Sequence, residues 1–244
     1  MRTLGLIGGL SWASTLEYYR LINTWVARLG GGHSSAKMVL ISLDFAEIVA
    51  LQKQGDWEQC GILLGRAAQS LEQAGAQCVV VCSNTMHKVA PAVQASCKLP
   101  LLHVAHAVGA TLQNNSKLKV GLLGTLFTMR QSFYRDAFVE YGCEMVLPDK
   151  LFAKGINELI FAELTQGKCS EQAEKTFAET VVHLREKGCD SVLLACTELM
   201  LLKGAAHDFG IPLFDSTAIH AECVARWAFF PDDKYGVFGK NPSL

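Results

Sequence analysis

The sequence predicts an α/β fold with two lobes, and two observations carry the α/β part of that prediction. Short apolar, β-branched runs alternate with amphipathic stretches of about 12–18 residues, a pattern typical of βα units built around parallel sheets. The runs are apolar almost throughout, as expected for strands that helices cover on both faces. A length of 244 residues is compatible with one large domain or two small ones.

The alternation places each element in turn along the chain. Strands are predicted at Thr3–Gly8, Met38–Asp44, Cys78–Cys82, Leu99–His103, Lys119–Gly124, Met145–Pro148, Ser191–Ala195 and Ile211–Phe214. Helices are predicted at Ser14–Leu29, Trp57–Ala74, Asn84–Gln94, Thr128–Tyr141, Ile156–Leu164, Ser170–Lys187 and Ser216–Ala228. Gly75 and Gly188 each follow one of these helices at the position where a C-terminal cap glycine belongs.

Three segments recur in the same order, and this repeat predicts the two lobes. LGLIGG at 4–9 returns as VGLLGT at 120–125, GAQCVVVCSNT at 75–85 as GCDSVLLACTE at 188–198, and LPLLHVAHA at 99–107 as IPLFDSTAI at 211–219. We expect pseudo-symmetric lobes at 1–105 plus 216–244 and at 106–215, each a mostly parallel four-stranded sheet flanked by helices. Ligands of such sheets bind beyond the carboxyl ends of the strands, which predicts an active site in the cleft between the lobes.

Composition excludes several classes of protein. The 22 Lys and Arg residues balance 23 Asp and Glu residues, which argues against a partner such as nucleic acid or an anionic membrane surface. No apolar run approaches the roughly 20 residues that span a bilayer, and the first residues do not resemble a signal peptide. Nine irregularly spaced cysteines without export features are expected to be reduced thiols of a cytoplasmic protein, and none has the spacing of a metal site.

Two of the cysteines are candidates for chemistry. The repeat suggests equivalent positions for Cys82 and Cys196, each at the end of an apolar strand and before small polar residues. A thiol just before a helix meets free N–H groups and the positive end of the helix dipole, so we expect a lowered pKa and a thiolate. The other seven cysteines are expected to pack in the core.

Paired thiols on related lobes suit racemisation. That reaction needs a base on one face of a carbon and an acid on the other, and the two roles exchange for the mirror-image substrate. The carbanion that forms needs its carboxylate held by hydrogen-bond donors. Candidate donors are the backbone N–H groups and polar side chains of Ser83, Asn84, Thr85 and Thr197.

The motifs GLIGGLSWAST at 5–15, CSNTMHK at 82–88 and ACTEL at 195–199 resemble the aspartate/glutamate racemase family, which works without pyridoxal phosphate. The resemblance is to the aspartate-racemase branch and, within it, to broad-specificity amino-acid racemases. It implies a homodimer, an amino-acid substrate, no cofactor and no metal. It also implies a role for each site residue. Cys82 and Cys196 are the implied acid/base pair, and Asn84, Thr85 and Thr197 the implied ligands of the α-carboxylate and amine. Ser11 and Thr125 are implied to line the cleft, and Gln52 to lie beside the substrate side chain.

One departure from the family bears on the substrate. Aspartate-specific relatives hold the distal carboxylate with basic residues, whereas AEIVALQKQ and FAELTQG here offer Leu51, Gln52, Leu164 and Thr165, with Lys53 one residue away. Because an unpaired carboxylate is costly to desolvate, strict aspartate specificity is not expected, and neutral side chains of moderate length are expected to compete with or exceed aspartate.

Several roles stay open at the level of sequence. Glu198 is expected to orient Cys196, to bind the substrate amine, or to satisfy a helix N-terminus, and His87 to lie on a helix surface or behind the site. A decarboxylase or cis–trans isomerase of the same superfold is an alternative function, as is a non-catalytic amino-acid binder or a thiol redox protein. The presence of both cysteines favours the racemase, and a redox protein would favour a CxxC motif.

Overall fold

The computed structural model describes residues 1–202 and 209–230, which form two compact units. The first unit contains Met1–Ala107 and the described residues from His220 onward, and the second contains Val108–Ile219. Both boundaries fall inside helices, α5 (Val104–Asn114) and α10 (Ser216–Phe229). Residues 203–208 and 231–244, and with them the C-terminal part of the predicted first lobe, lie outside the described residues.

The first unit is built on a parallel sheet of three strands in the order β2-β1-β3. The strands are β1 (Leu4–Gly8), β2 (Met38–Ser42) and β3 (Val79–Val81), and Leu6 of β1 pairs with Leu40 and Val80. Every residue of β1 is buried, as the apolar run LGLIG requires. The helices of this unit, besides parts of α5 and α10, are α1 (Trp12–Gly30), α2 (Phe45–Gln54), α3 (Trp57–Gln73), α4 (Ala90–Ser96) and a 3₁₀ helix at Thr85–Val89.

The prediction of a fourth strand in this sheet, at Leu99–His103, is wrong. Only Leu101 pairs with Val79, through hydrogen bonds of 2.9 Å from Val79 N to Pro100 O and from Leu102 N to Val79 O. Pro100 has no N–H to donate to a ladder, and the chain enters α5 at Val104. The predicted strand is therefore reduced to a single bridge.

The second unit has the predicted four-stranded parallel sheet, in the order β5-β4-β6-β7. Its strands are β4 (Lys119–Leu123), β5 (Glu144–Val146), β6 (Ser191–Leu194) and β7 (Leu213–Asp215). Its remaining helices are α6 (Leu126–Arg130), α7 (Phe133–Glu140), α8 (Lys150–Ala162) and α9 (Glu171–Glu186), with 3₁₀ helices at Leu164–Gln166 and Thr197–Leu202. The α/β class and the parallel sheets are thus confirmed.

Two predicted helices are each divided in the structure, and two helices of the structure were not predicted. The predicted helix Asn84–Gln94 is a 3₁₀ helix followed by α4, because Pro91 lacks an N–H and is accommodated only in the first turn of a new helix. The predicted helix Thr128–Tyr141 is divided into α6 and α7. Neither α2 nor α5 was predicted, although Asp44 caps α2 by accepting from the Ala46 N–H at 2.9 Å.

The two predicted cap glycines are confirmed. Gly75 and Gly188 both have φ of +83°, the left-handed conformation that ends α3 and α9. Each glycine lies shortly before a strand of its sheet, so the caps set where β3 and β6 begin.

Candidate active site

The loop after β1 is held in a single conformation by its own hydrogen bonds. Gly9 has φ of +72°, and a Cβ there would collide with the backbone of Leu43, so no other residue fits. The Gly9 N–H donates to Thr15 Oγ1 at 2.9 Å, and the Thr15 hydroxyl donates to the Ser11 carbonyl at 3.0 Å. Ser11 has φ of +98°, which is rare for a residue with a side chain and is typical of functional loops.

Cys82 directly follows β3 at the carboxyl end of the first sheet. Its N–H donates to the Ile7 carbonyl at 2.9 Å, and its side chain is fully buried. Ser83 and Thr85 are partly buried and Asn84 is buried, so the three predicted carboxylate ligands stay together in the segment after the thiol.

Cys196 follows β6 at the carboxyl end of the second sheet, and it is partly buried. Its thiol donates to Glu198 Oε2 at 3.0 Å, and the Thr197 hydroxyl donates to the same oxygen at 2.7 Å. Of the three roles expected for Glu198, the geometry favours contact with the thiol. Glu198 therefore belongs to the surroundings of Cys196 in addition to being a candidate ligand of the substrate.

The expected lowering of the two cysteine pKa values is wrong. Burial raises the pKa of the Cys82 thiol. Burial also raises the pKa of Cys196 well above its ordinary value, and the charge and hydrogen bond of Glu198 add to that effect. The helix dipole does not lower either pKa, because the helices that follow the two cysteines are short 3₁₀ helices. The desolvation of the thiols outweighs the effect of the N–H groups of these helices on the pKa.

The two cysteines are also not at equivalent positions of the repeat. Leu6 pairs with Val80 and Leu122 with Leu193, so the two sheets have matching registers. In that register Cys82, which donates to Ile7 O, corresponds to Ala195, which donates to Leu123 O at 2.7 Å. Cys196 lies one residue further along, and this places the two thiols in different local surroundings.

Gln52 lies beside the segment that follows Cys82. Its side-chain amide donates to Met86 Sδ at 3.0 Å, and Met86 belongs to the 3₁₀ helix after Cys82. Leu51 packs against the core of the first unit, and Lys53 is exposed. Successive helical residues do not share a face, so α2 presents the neutral Gln52 rather than Lys53 towards this segment.

Thr125 and Thr165 occupy different surroundings in the second unit. Thr125 caps α6, where its hydroxyl accepts from the Thr128 N–H at 3.3 Å. Thr165 is exposed and donates to the Phe161 carbonyl at 3.1 Å, in a short helix that packs against the one after Cys196. Leu164, the other neutral residue of that neighbourhood, is buried in the core.

Of the two positions expected for His87, a helix surface or behind the site, the structure has the second. The side chain is buried, its Nδ1 lies 2.7 Å from the Ser83 carbonyl, and its ring lies 4.6 Å from that of His103 between centroids. A lone histidine in the polar run CSNTMHK gives no signal of burial. Its contact with the residue after Cys82 appears only in three dimensions.

The described residues contain no group of three or more His, Cys, Asp or Glu side chains arranged to hold a metal ion. Among residues 1–202 and 209–230, no helix has the length and apolar character needed to cross a membrane.

Comparison with known proteins finds a matching family model and solved structures with similar folds. The family model of the Asp/Glu/hydantoin racemases matches residues 7–224. A Yersinia pestis protein described as a candidate Asp/Glu racemase is 45% identical, with a TM-score of 0.89 over 94% of this chain and 100% of its own. An aspartate racemase homologue from Pyrococcus horikoshii OT3 is 30% identical, with a TM-score of 0.80 over the same shares of the two chains.

More distant relatives share the fold or part of the sequence. One is the structure of glutamate racemase from Francisella tularensis subsp. tularensis SCHU S4 in complex with D-glutamate. Its TM-score is 0.66 at 14% identity, over 99% of this chain and 84% of its own. At that identity the likeness is one of fold alone. This chain spans between 51% and 66% of the length of the three curated glutamate racemases that it matches.

Two parallel sheets of three and four strands, flanked by helices, define the α/β architecture of the Asp/Glu racemases. With the family model matched along most of its length, the chain belongs to the Asp/Glu/hydantoin racemase family.

Proposed function

We propose that this protein is a cofactor-independent amino-acid racemase in which Cys82 and Cys196 exchange a proton at the substrate Cα. The observation that carries the proposal is that each parallel sheet presents one cysteine beyond the carboxyl end of a strand that pairs with the first strand of its unit, followed by polar side chains. Ligands of parallel sheets bind at these ends, and two acid/base groups are what racemisation requires.

The surroundings of the thiols suggest how the first proton moves. Both thiols rest in the neutral form, because burial raises the pKa of each. Glu198 Oε2 accepts the Cys196 proton at 3.0 Å, and the thiolate so formed removes the Cα proton of one enantiomer. Cys82 then delivers its own thiol proton to the opposite face of the carbanion and is left as a thiolate. The other enantiomer reacts by the reverse steps: the Cys82 thiolate removes its Cα proton, the Cys196 thiol protonates the carbanion, and Glu198 returns a proton to Cys196.

Asn84 and Thr85 supply donors for the substrate carboxylate on the side of Cys82, and Thr197 supplies one on the side of Cys196. Their task is to stabilise the negative charge that the carboxylate gains as the Cα proton leaves. Asn84 is buried, and a donor in such a place interacts with charge more strongly than one in water.

The substrate proposed is an amino acid with a neutral side chain of moderate length, such as methionine, homoserine or leucine. Gln52 beside the Cys82 segment is uncharged, while Lys53 next to it is exposed. A distal carboxylate would lack a cation there, which disfavours aspartate.

The proposal is tested by incubating the protein in D₂O with a panel of L- and D-amino acids and no added cofactor. We expect deuterium to appear at Cα together with the opposite enantiomer, detected by NMR and chiral chromatography. Activity should survive exhaustive treatment with EDTA. Absence of exchange with every amino acid of the panel would contradict the proposal, and loss of carbon dioxide from a malonate would indicate a decarboxylase instead.

A further inference from the structure

A group of histidines in the first unit takes no part in the proposed proton transfer. The rings of His87 and His220 are buried, with centroids 5.7 Å apart, and His103 lies 4.6 Å from His87. His106 and Tyr18 border the group, at 5.3 Å from His103 and 5.5 Å from His220. The group lies directly behind the segment that follows Cys82, because Ser83 is a partner of His87.

The hydrogen bonds of His87 define which nitrogen carries its proton. The N–H of Val104 donates to His87 Nε2 at 3.3 Å, so that nitrogen is an acceptor without a proton. The proton of the neutral ring is therefore on Nδ1, which donates to the Ser83 carbonyl at 2.7 Å. The backbone N–H of His87 also donates to the Asn84 carbonyl at 3.2 Å, so one residue holds two successive carbonyls after Cys82.

The position of His87 is itself supported from behind. His220 Nε2 donates to the Leu102 carbonyl at 2.7 Å, and its Nδ1 accepts from the Tyr18 hydroxyl at 2.9 Å. Leu102 and Val104 flank His103 in the segment that enters α5. The two buried rings thus join the loop after Cys82, the start of α5, α1 and α10 within one unit.

We propose that His87 is a positioning residue for Cys82: as a neutral ring protonated at Nδ1, it ties the Ser83 carbonyl to the first turn of α5 and fixes the backbone that carries Cys82, Asn84 and Thr85. The inference rests on the proposed function only for its catalytic consequence, since the geometry it describes is measurable in any case. A displacement of that backbone by a fraction of an ångström shifts both the acid/base thiol and the carboxylate donors.

Two variants separate the two hydrogen bonds of the ring. His87→Asn keeps a donor near the Nδ1 position and loses the Nε2 acceptor, whereas His87→Gln keeps an acceptor near the Nε2 position and loses the donor to Ser83. We expect kcat to fall on the order of ten- to a hundredfold in His87→Gln and only a few fold in His87→Asn. His33→Asn, at an exposed histidine of the same unit, is the matched control and should leave kcat unchanged.

Two readouts do not depend on racemase activity. The ¹⁵N chemical shifts of the His87 ring should report a neutral Nδ1–H tautomer between pH 5 and pH 8. Alkylation of Cys82 by iodoacetamide, followed by mass spectrometry, should be about tenfold faster in His87→Gln than in His87→Asn, because the loop is released.

An Nε2–H tautomer, or equal kinetics and alkylation in the two variants, would overturn the inference. Wild-type protein that exchanges no Cα proton while showing the expected tautomer and alkylation rates would refute the proposed function and leave the positioning role standing. Thermal unfolding of both variants separates a general loss of stability from the difference between them.

Discussion

The buried histidines predict that the first unit loses stability as the pH falls from 7 to 5. Burial lowers the pKa of His87 from 6.5 to about 4 and that of His220 to about 3, and burial also lowers the pKa of His103. An unfolded chain restores the ordinary value, so below about pH 6.5 the unfolded state binds protons that the folded state does not. The stabilising contribution is therefore present above pH 6.5 and is lost as the pH falls towards the folded values.

The size of the effect follows from the lowered pKa values of His87 and His220. At 1.36 kcal/mol per pKa unit, lowering the pH from 7 to 5 costs about 2 kcal/mol for each of His87 and His220, and together about 4 kcal/mol. His103 acts in the same direction. Carboxylates are still mostly ionised at pH 5, so this interval isolates the histidines. The loss is a large fraction of the 5–15 kcal/mol that is typical of natural domains.

The assay is urea unfolding at pH 7, 6 and 5, monitored by tryptophan fluorescence. His220→Gln should reduce the difference in unfolding free energy between pH 7 and pH 5 by about 2 kcal/mol, because one titrating group is removed. His33→Gln, at an exposed site, should leave that difference unchanged. A wild-type stability that does not vary between pH 7 and pH 5 would refute the reasoning.

Three further predictions concern the site. Glu198→Gln should let Cys196 react with iodoacetamide at lower pH, because the carboxylate raises the pKa of that thiol, and an unchanged pH dependence of alkylation would contradict the assignment. Gly9→Ala should lower the unfolding free energy measured in urea by more than Gly31→Ala does. Both glycines have positive φ, where an alanine costs about 1–2 kcal/mol, but only at Gly9 would the added Cβ also collide with backbone. Equal losses in the two variants would show that Gly9 is not constrained by that contact. The ratio of kcat/KM for methionine to that for aspartate should favour methionine about ten- to a hundredfold, and a hundredfold preference for aspartate would show that a cation reaches the substrate side chain.

Much of the fold was predictable because burial on both faces of a parallel strand leaves a simple pattern. Strands β1 and β4 are apolar runs that end in glycine-containing loops, and both were found within a residue or two. The strand at Leu99–His103 had the same apolar character but was interrupted by Pro100. The helix α2 was missed although Asp44 and Gly55 mark its two ends, and these caps are visible in the sequence.

The sequence predicts which residues belong to the candidate site better than it predicts their electrostatic surroundings. Cys82, Cys196 and their polar neighbours stand in recognisable motifs, whereas the pKa values of the thiols depend on burial, which the motifs do not report. The difference of one residue between the cysteines follows from strand register. It is also visible in the sequence, because the pairing of 75–85 with 188–198 places Cys82 opposite Ala195. The role of His87 depends on Ser83 and Val104 together, two residues far apart in sequence.

The central claim is that Cys82 and Cys196 act as two bases on opposite faces of one carbon, and single variants in D₂O test it most directly. Cys82→Ser and Cys196→Ser should each abolish net racemisation, since a serine hydroxyl is too weak an acid to replace a thiol. Each variant should still exchange the Cα proton of one enantiomer with retention, and the two variants should exchange opposite enantiomers. Cys169→Ser, at an exposed cysteine, should behave as wild type. Racemisation at a near wild-type rate in either Cys82→Ser or Cys196→Ser would contradict the account.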